Sequence, residues 1–381
     1  MNTTTATLNP VATRTRDVSE STSLARLVLW GMLASKLLGG WGLHWDIQWH
    51  IRIGRDSFWI APHVMTYAGV GLVVVLSFGL LAVETARAWS MPLTAPRMRV
   101  LGLVGPRGAH LAAWGMALTV LAAPIDDMWH RLFGIDVTLW SPPHLLGLAG
   151  AAVNALGCVL LAREVYPASG RAATAATLIG LAMFYGTFRV ALSPTFDLAY
   201  RHGGVLFYAF AFLGALFLPL AIVTAARLTG LRSAPIIVAV ISALIGLSGD
   251  AVARVGFAQL QPVSVIEAAI AQDPMSPIAV ANAVAKKNGE QPGAMAMVPL
   301  IASLLSVAVL VAVDARRRPR AATIAFAVAA FAIFGWLLAH SPAFGPNTPA
   351  ATATLTALAL TVLAALIGAA GATRLARVLD H

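Results

Sequence analysis

Stretches of roughly twenty apolar residues recur from one end of the chain to the other, and nothing else in the sequence limits its fold so strongly. A helix needs about 20 such residues to cross the hydrocarbon core of a bilayer. Backbone groups in lipid must find hydrogen bonds within the segment, so these stretches are helices. Ten qualify: 24–43, 62–86, 108–125, 143–165, 171–192, 203–227, 233–257, 293–314, 320–340 and 348–371. The chain is 59% hydrophobic and only 11% charged, against about 25% charged in a soluble domain. The expected fold class is an all-α polytopic integral membrane protein with the lipid bilayer as its solvent.

The net charge of +10 does not indicate a nucleic-acid partner. The arginines fall in short clusters between apolar segments, and such clusters mark cytoplasmic loops. One side collects Arg14, Arg16 and Arg26, then Arg87, Arg97, Arg99 and Arg107, then Arg163 and Arg171. It continues with Arg227 and Arg232, the run Arg316 to Arg318 with Arg320, and Arg374 with Arg377. Lys286 and Lys287 interrupt the pattern on the other side. The expected location is the inner cell membrane with both termini cytoplasmic. Residues 1–23 read as a disordered cytoplasmic tail, because they lack the apolar core and cleavage site of a signal peptide. The rest divides into 24–165, 166–257 (three spans), 258–292 (an outer loop or lid with short helices over Val263–Gln272 and Pro277–Lys286) and 293–381 (three spans). The single cysteine, Cys158, excludes a disulfide framework.

Seven of the nine histidines fall on the outer side: His44, His50, His63, His130, His144, His202 and His340. Two outer loops hold most of them, and the loops repeat each other. "HWDIQWHIRIGRDSFWIAPH" and "DDMWHRLFGIDVTLWSPPH" each place an Asp four residues before a His, at Asp46/His50 and Asp126/His130. Each places a second Asp six residues later, at Asp56 and Asp136, and each ends Trp-x-x-Pro-His, at His63 and His144. Ala-Gly then follows at the fifth and sixth positions, Ala68-Gly69 and Ala149-Gly150. The pattern implies an internal repeat of two helix hairpins running in the same direction.

The spacing has a chemical reading. Asp and His at i, i+4 share one face of a helix. A third ligand returns at the start of the next helix, behind a proline suited to that position. Each hairpin thus offers one Asp-His-His set, Asp46/His50/His63 and Asp126/His130/His144. Three protein ligands leave coordination positions open, as catalytic metal sites do. Heme would use histidines differently and needs no Asp one turn away. No nucleotide-binding motif is present. Asp56 and Asp136 are candidate acceptors that orient the imidazoles, with Arg55 beside them. Asp197 and His202, and Asp250 with Arg254 one turn on, are accessory candidates. An ionisable residue inside a span is a functional hypothesis by default.

Over about residues 25–165 these two motifs resemble the third subunit of the copper membrane monooxygenases, the family that oxidises methane, ammonia and short hydrocarbons. That subunit carries Asp-x3-His-x12-His and then Asn-x3-His-x13-His. Here Asp46-x3-His50-x12-His63 matches the first spacing, and Asp126-x3-His130-x13-His144 matches the second with Asp for Asn. The resemblance implies copper, O2, and a small apolar substrate arriving through the bilayer. It also implies work within a homo- or hetero-oligomer. The added carboxylate keeps iron open as an alternative metal. The competing expectation is a non-catalytic metal-binding or metal-handling protein, or one component of a larger complex. A hydrolase using metal-activated water is a third class. One dinuclear centre and two mononuclear ones both remain open.

Overall fold

The computed structural model describes residues 10–54, 57–90, 97–133, 139–287 and 296–380. The side chains of 10–21, Pro194, Thr195, Asp197, Ala281 and Ala285 lie outside that description. In chain order the elements are α1 (Pro10–Arg52), α2 (Ala61–Ser90), β1 (Met98–Val100), β2 (Leu103–Gly105), α3 (Arg107–Phe133), α4 (Pro142–Val165) and α5 (Arg171–His202). A 3-10 turn (Gly204–Tyr208) leads into α6 (Ala209–Phe217), α7 (Pro219–Thr229) and α8 (Ala234–Leu260). Then come α9 (Val265–Gln272), α10 (Pro277–Lys287), α11 (Met297–Val313), α12 (Pro319–Ala339) and α13 (Ala351–Asp380).

The protein is an all-α polytopic membrane protein. Eight segments among the described residues are long and apolar enough to cross a bilayer: α2, α3, α4, α5, the run Gly204–Thr229, α8, α12 and α13. The two others expected from sequence differ for visible reasons. The stretch 24–43 lies inside the 43-residue α1, where Arg26 and Lys36 interrupt its apolar run. The stretch 293–314 forms α11, which is apolar but only 17 residues long. The span expected to end at 192 continues as helix to His202, because no chain reversal intervenes before Gly203, whose φ of +74° ends it. Lys36 Nζ donates to the Ala151 carbonyl at 3.0 Å, linking the first hairpin to the second.

Helices in lipid gain little from apolar burial against one another, so close approach through small residues holds them. The two N-terminal hairpins show this in matching register. A Cβ on Gly69 would sit 2.5 Å from Gly39 N and 2.7 Å from Ser35 O. A Cβ on Gly150 would sit 2.5 Å from Thr119 Oγ1 and 2.6 Å from Gly115 O. Counted back from Asp46 and from Asp126, those partners occupy the same two positions. The repeated Ala-Gly therefore has a packing cause. It brings α2 onto α1 and α4 onto α3 just below the hairpin tips. Asn154 Nδ2 adds a buried bond to the Ala112 carbonyl at 2.7 Å.

The β1–β2 ribbon joins α2 to α3, pairing Val100 with Leu103 around Leu101 and Gly102. Both turn residues have positive φ, as a tight type I′ connection demands. One buried cluster, including Leu29, Met32, Val73, Leu80, Met116 and Leu161, unites the two hairpins. A second, including Leu181, Tyr185, Ile222, Val238 and Leu310, joins α4 and α5 to the C-terminal helices. The helices α1 to α4 pack one after another as hairpins, so the tips of α1–α2 and α3–α4 emerge on one face.

Candidate functional site

Each hairpin tip gathers its expected triad. The last turns of α1 present Asp46 and His50, and the first turn of α2 returns His63 behind Pro62. The last turns of α3 present Asp126 and His130, and α4 returns His144 behind Pro142 and Pro143. In both sets one ligand atom from each residue lies within 4.8 Å of the others, a geometry that could hold a metal ion. Asp46 Oδ1 is 3.1 Å from His63 Nε2 and 3.3 Å from His50 Nδ1. Asp126 Oδ1 is 3.4 Å from His144 Nε2, and its Oδ2 is 3.4 Å from His130 Nε2. Metal–ligand bonds of about 2.0–2.1 Å separate the ligands of a tetrahedral ion by ~3.3 Å. The paired imidazoles are likewise matched, with ring centroids 6.1 Å apart in both sets.

The hydrogen bonds around His63 define what the triad lacks. His63 Nδ1 lies 3.0 Å from the Ser57 carbonyl, which can only accept, so Nδ1 carries the proton. In the neutral ring Nε2 then presents a lone pair to the buried Asp46 Oδ1 at 3.1 Å. Two lone pairs at that separation repel unless a cation, metal or proton, lies between them. Asp126 Oδ1 is also buried with no hydrogen-bond partner. His50 Nδ1 also lies 3.0 Å from the Asp46 carbonyl one turn back. Asp46 lies beyond the apolar stretch 24–43. Burial there raises its carboxyl pKa, but the two imidazoles outweigh that and bring it down to about 2.

The neighbouring Asp127 is engaged elsewhere. It pairs with Arg131 at 2.8 Å on the exposed side of α3. Aromatic rings flank the first triad, with Tyr67 5.8 Å from His63 and Phe58 4.9 Å from Tyr67. Near the second, Trp140 Nε1 donates to the Ala191 carbonyl of α5 at 2.6 Å.

The opposite face of α1 meets α8. Gln48 is fully buried and donates to Asp250 Oδ1 at 2.9 Å, while His44 Nδ1 lies 3.9 Å from the same oxygen. Trp41 Nε1 donates to Ser248 Oγ at 2.8 Å. Gly249 and Gly256 open α8 for this contact, since a Cβ would strike the His44 side chain or the Trp45 ring. Trp45, Trp49 and Phe257 close it as an aromatic cluster. At the tip, Ser264 Oγ donates to the Arg52 carbonyl and Val265 N to the Ile53 carbonyl, which docks α9 beside the first triad.

The accessory candidates divide. Asp250 is buried against α1, whereas Arg254 is exposed. His202 is the exposed last residue of α5, and Asp197 lies in that helix with its side chain outside the described residues. Arg55, Asp56 and Asp136 also lie outside the described residues. Sequence reasoning missed Gln48, Ser57 and Arg189. Arg189 lies within charge-interaction range of His44. A cation in the middle of an apolar stretch was the available signal for it. No sequence signal singles out a carbonyl such as that of Ser57.

No family, curated protein or solved structure matches the chain. The likeness to the copper monooxygenases therefore rests on the two spacings alone.

Proposed function

We propose that each Asp-His-His set binds one metal ion and that the protein is a membrane oxidoreductase. In this reading it activates O2 toward a small apolar substrate that reaches the outer face through the lipid. The observation that carries the proposal is the contact at Asp46. A protonated Nδ1 on His63 turns Nε2 toward Asp46 Oδ1 at 3.1 Å, a contact that needs a proton or a metal ion between the two atoms, and the second set repeats it at 3.4 Å between His144 and Asp126. Copper is the first choice, on the resemblance of both spacings to those of the copper monooxygenases. A bound copper supplies redox chemistry toward O2. The chain's own residues hold it with three ligands per set and leave positions open. The Ser57 carbonyl fixes the His63 ring, and the Tyr67 ring packs beside it.

Iron is the second reading, favoured by the carboxylate in both sets. Two histidines and one carboxylate with open positions form the facial arrangement of non-heme iron oxygenases. The proposed setting is the inner membrane, with both termini cytoplasmic and the triads outside. Metal analysis with EPR on membrane-extracted wild type, His50→Ala and His130→Ala tests the assignment. Each variant should lose one of two equivalents. Full occupancy in both would overturn it, and loss of both equivalents in either would indicate a coupled centre. Stoichiometric metal without O2 consumption under any reductant would instead favour a metal-handling protein or one component of a larger complex.

A further inference from the structure

A cavity of about 470 Å³ opens at the other end of the molecule, between the start of α12 and the last turns of α13. Arg318, Pro319, Arg320, Ala321, Ala370, Thr373 and Arg377 line it. Three of these seven are cations, and no carboxylate shares the wall among the described residues. The acidic residues nearest in sequence are already engaged. Asp314 takes Arg316 at 2.8 Å and Arg317 at 3.8 Å, and Asp380 pairs with Arg163 across the helix ends. Arg374 adds a further exposed cation on α13.

The arginines also stand where a helix disfavours them. Arg318 is the N-cap of α12 and Arg320 lies in its first turn, with no acidic residue there and no side-chain cap. The N-terminus of a helix carries partial positive charge and unsatisfied N–H groups. Two arginines at that position repel the dipole and each other, and Arg377 comes across from α13. Positive charge from two helices around a concave space is stabilised when an anion fills it. Guanidinium groups match the oxygens of a phosphate in paired hydrogen bonds. Both walls belong to helices apolar enough to cross the bilayer, so the cavity opens at the level of lipid headgroups.

We infer that this cavity is a binding site for a phosphate group, held by Arg318, Arg320 and Arg377. The chemistry is shared by an anionic phospholipid headgroup and by free phosphate, and two experimental arms separate them. In the first, the full-length protein in nanodiscs of phosphatidylcholine with 10–30% phosphatidylglycerol, on the order of cellular anionic content, is examined by native mass spectrometry for retained lipid. In the second, the detergent-purified protein is titrated with inorganic phosphate and its thermal midpoint followed. Arg320→Gln and Arg377→Gln should each weaken the binding about tenfold. Arg99→Gln, an exposed arginine on the β1 strand, should leave it unchanged. Retained phosphatidylglycerol lost in the two cavity variants assigns the site to lipid. A phosphate-dependent midpoint lost in the same variants assigns it to the free anion. Binding of neither probe, or binding equally reduced by Arg99→Gln, overturns the inference. Arg320 and Arg377 are exposed, and circular dichroism of the variants separates lost binding from lost folding.

Discussion

Gln48 and Asp250 meet at 2.9 Å in the buried seam between α1 and α8, two residues from Asp46 on one side and two from His50 on the other. The bond fixes the rotation of α1, and rotation decides whether its opposite face presents both ligands to α2. Replacing Gln48 by Leu removes a donor from a buried carboxyl at a cost of about 1–3 kcal/mol. The expected outcome is a lower thermal midpoint and weaker metal binding at the first triad, with the second triad unchanged. EPR of Gln48→Leu in a His130→Ala background reads the first site alone. Unaltered affinity there would mean that the seam does not position the triad.

The matched glycines give a paired prediction. Gly69→Ala and Gly150→Ala each force a methyl to within 2.5–2.6 Å of the facing helix. Overpacking of this kind costs about 1–3 kcal/mol. Each substitution should spread only its own hairpin, so Gly69→Ala lowers metal occupancy at Asp46 and Gly150→Ala at Asp126. Occupancy measured in combination with His130→Ala or His50→Ala distinguishes the two. Equal loss at both sites would show that the hairpins do not close independently.

Metal should also staple the hairpins, because each triad draws ligands from two helices. Metal at 100 times its dissociation constant stabilises by about 2.7 kcal/mol per site. The unfolding midpoint should rise on adding copper to chelator-stripped protein, by roughly half as much in His50→Ala, and by nothing in the double variant with His130→Ala.

The clustering of each triad was legible in the sequence because its spacing is periodic. Asp46 and His50, or Asp126 and His130, are one helical turn apart whatever the tertiary structure, and a proline-led His on the next helix follows from a hairpin. Long apolar stretches likewise announced the helices. What the sequence hid was what depends on distant partners. Gln48 looks like a tip residue until α8 arrives beside it. Lys36 looks like an interfacial lysine until the Ala151 carbonyl is placed within 3.0 Å of it. The helical ending at His202 was missed because Gly203 acts through a positive φ, which composition does not display.

Outside the membrane-crossing helices, the turn between α11 and α12 has its own pH signature. Hydrogen bonds from Arg316 hold the Asp314 carboxyl down to about 2, below its ordinary 3.8. A depressed folded-state value stabilises above the unfolded value and is lost as the pH falls through the folded one. The difference in thermal midpoint between wild type and Asp314→Asn should therefore be constant from about pH 5 to 8 and shrink between about pH 4 and 2. A difference that widened on acidification would refute the pairing.

The seam between α1 and α8 also sets a timetable for biogenesis. The partners Gln48 and Asp250 are 202 residues apart, and Arg52 waits for Ser264, 212 residues later. Chains are made and inserted from the N-terminus. The second triad closes within α3 and α4 as soon as both have left the ribosome. The first emerges earlier, yet its supporting wall arrives only when two thirds of the chain has been made. A nascent chain thus folds the α3–α4 hairpin before the wall that supports the α1–α2 tip is in place.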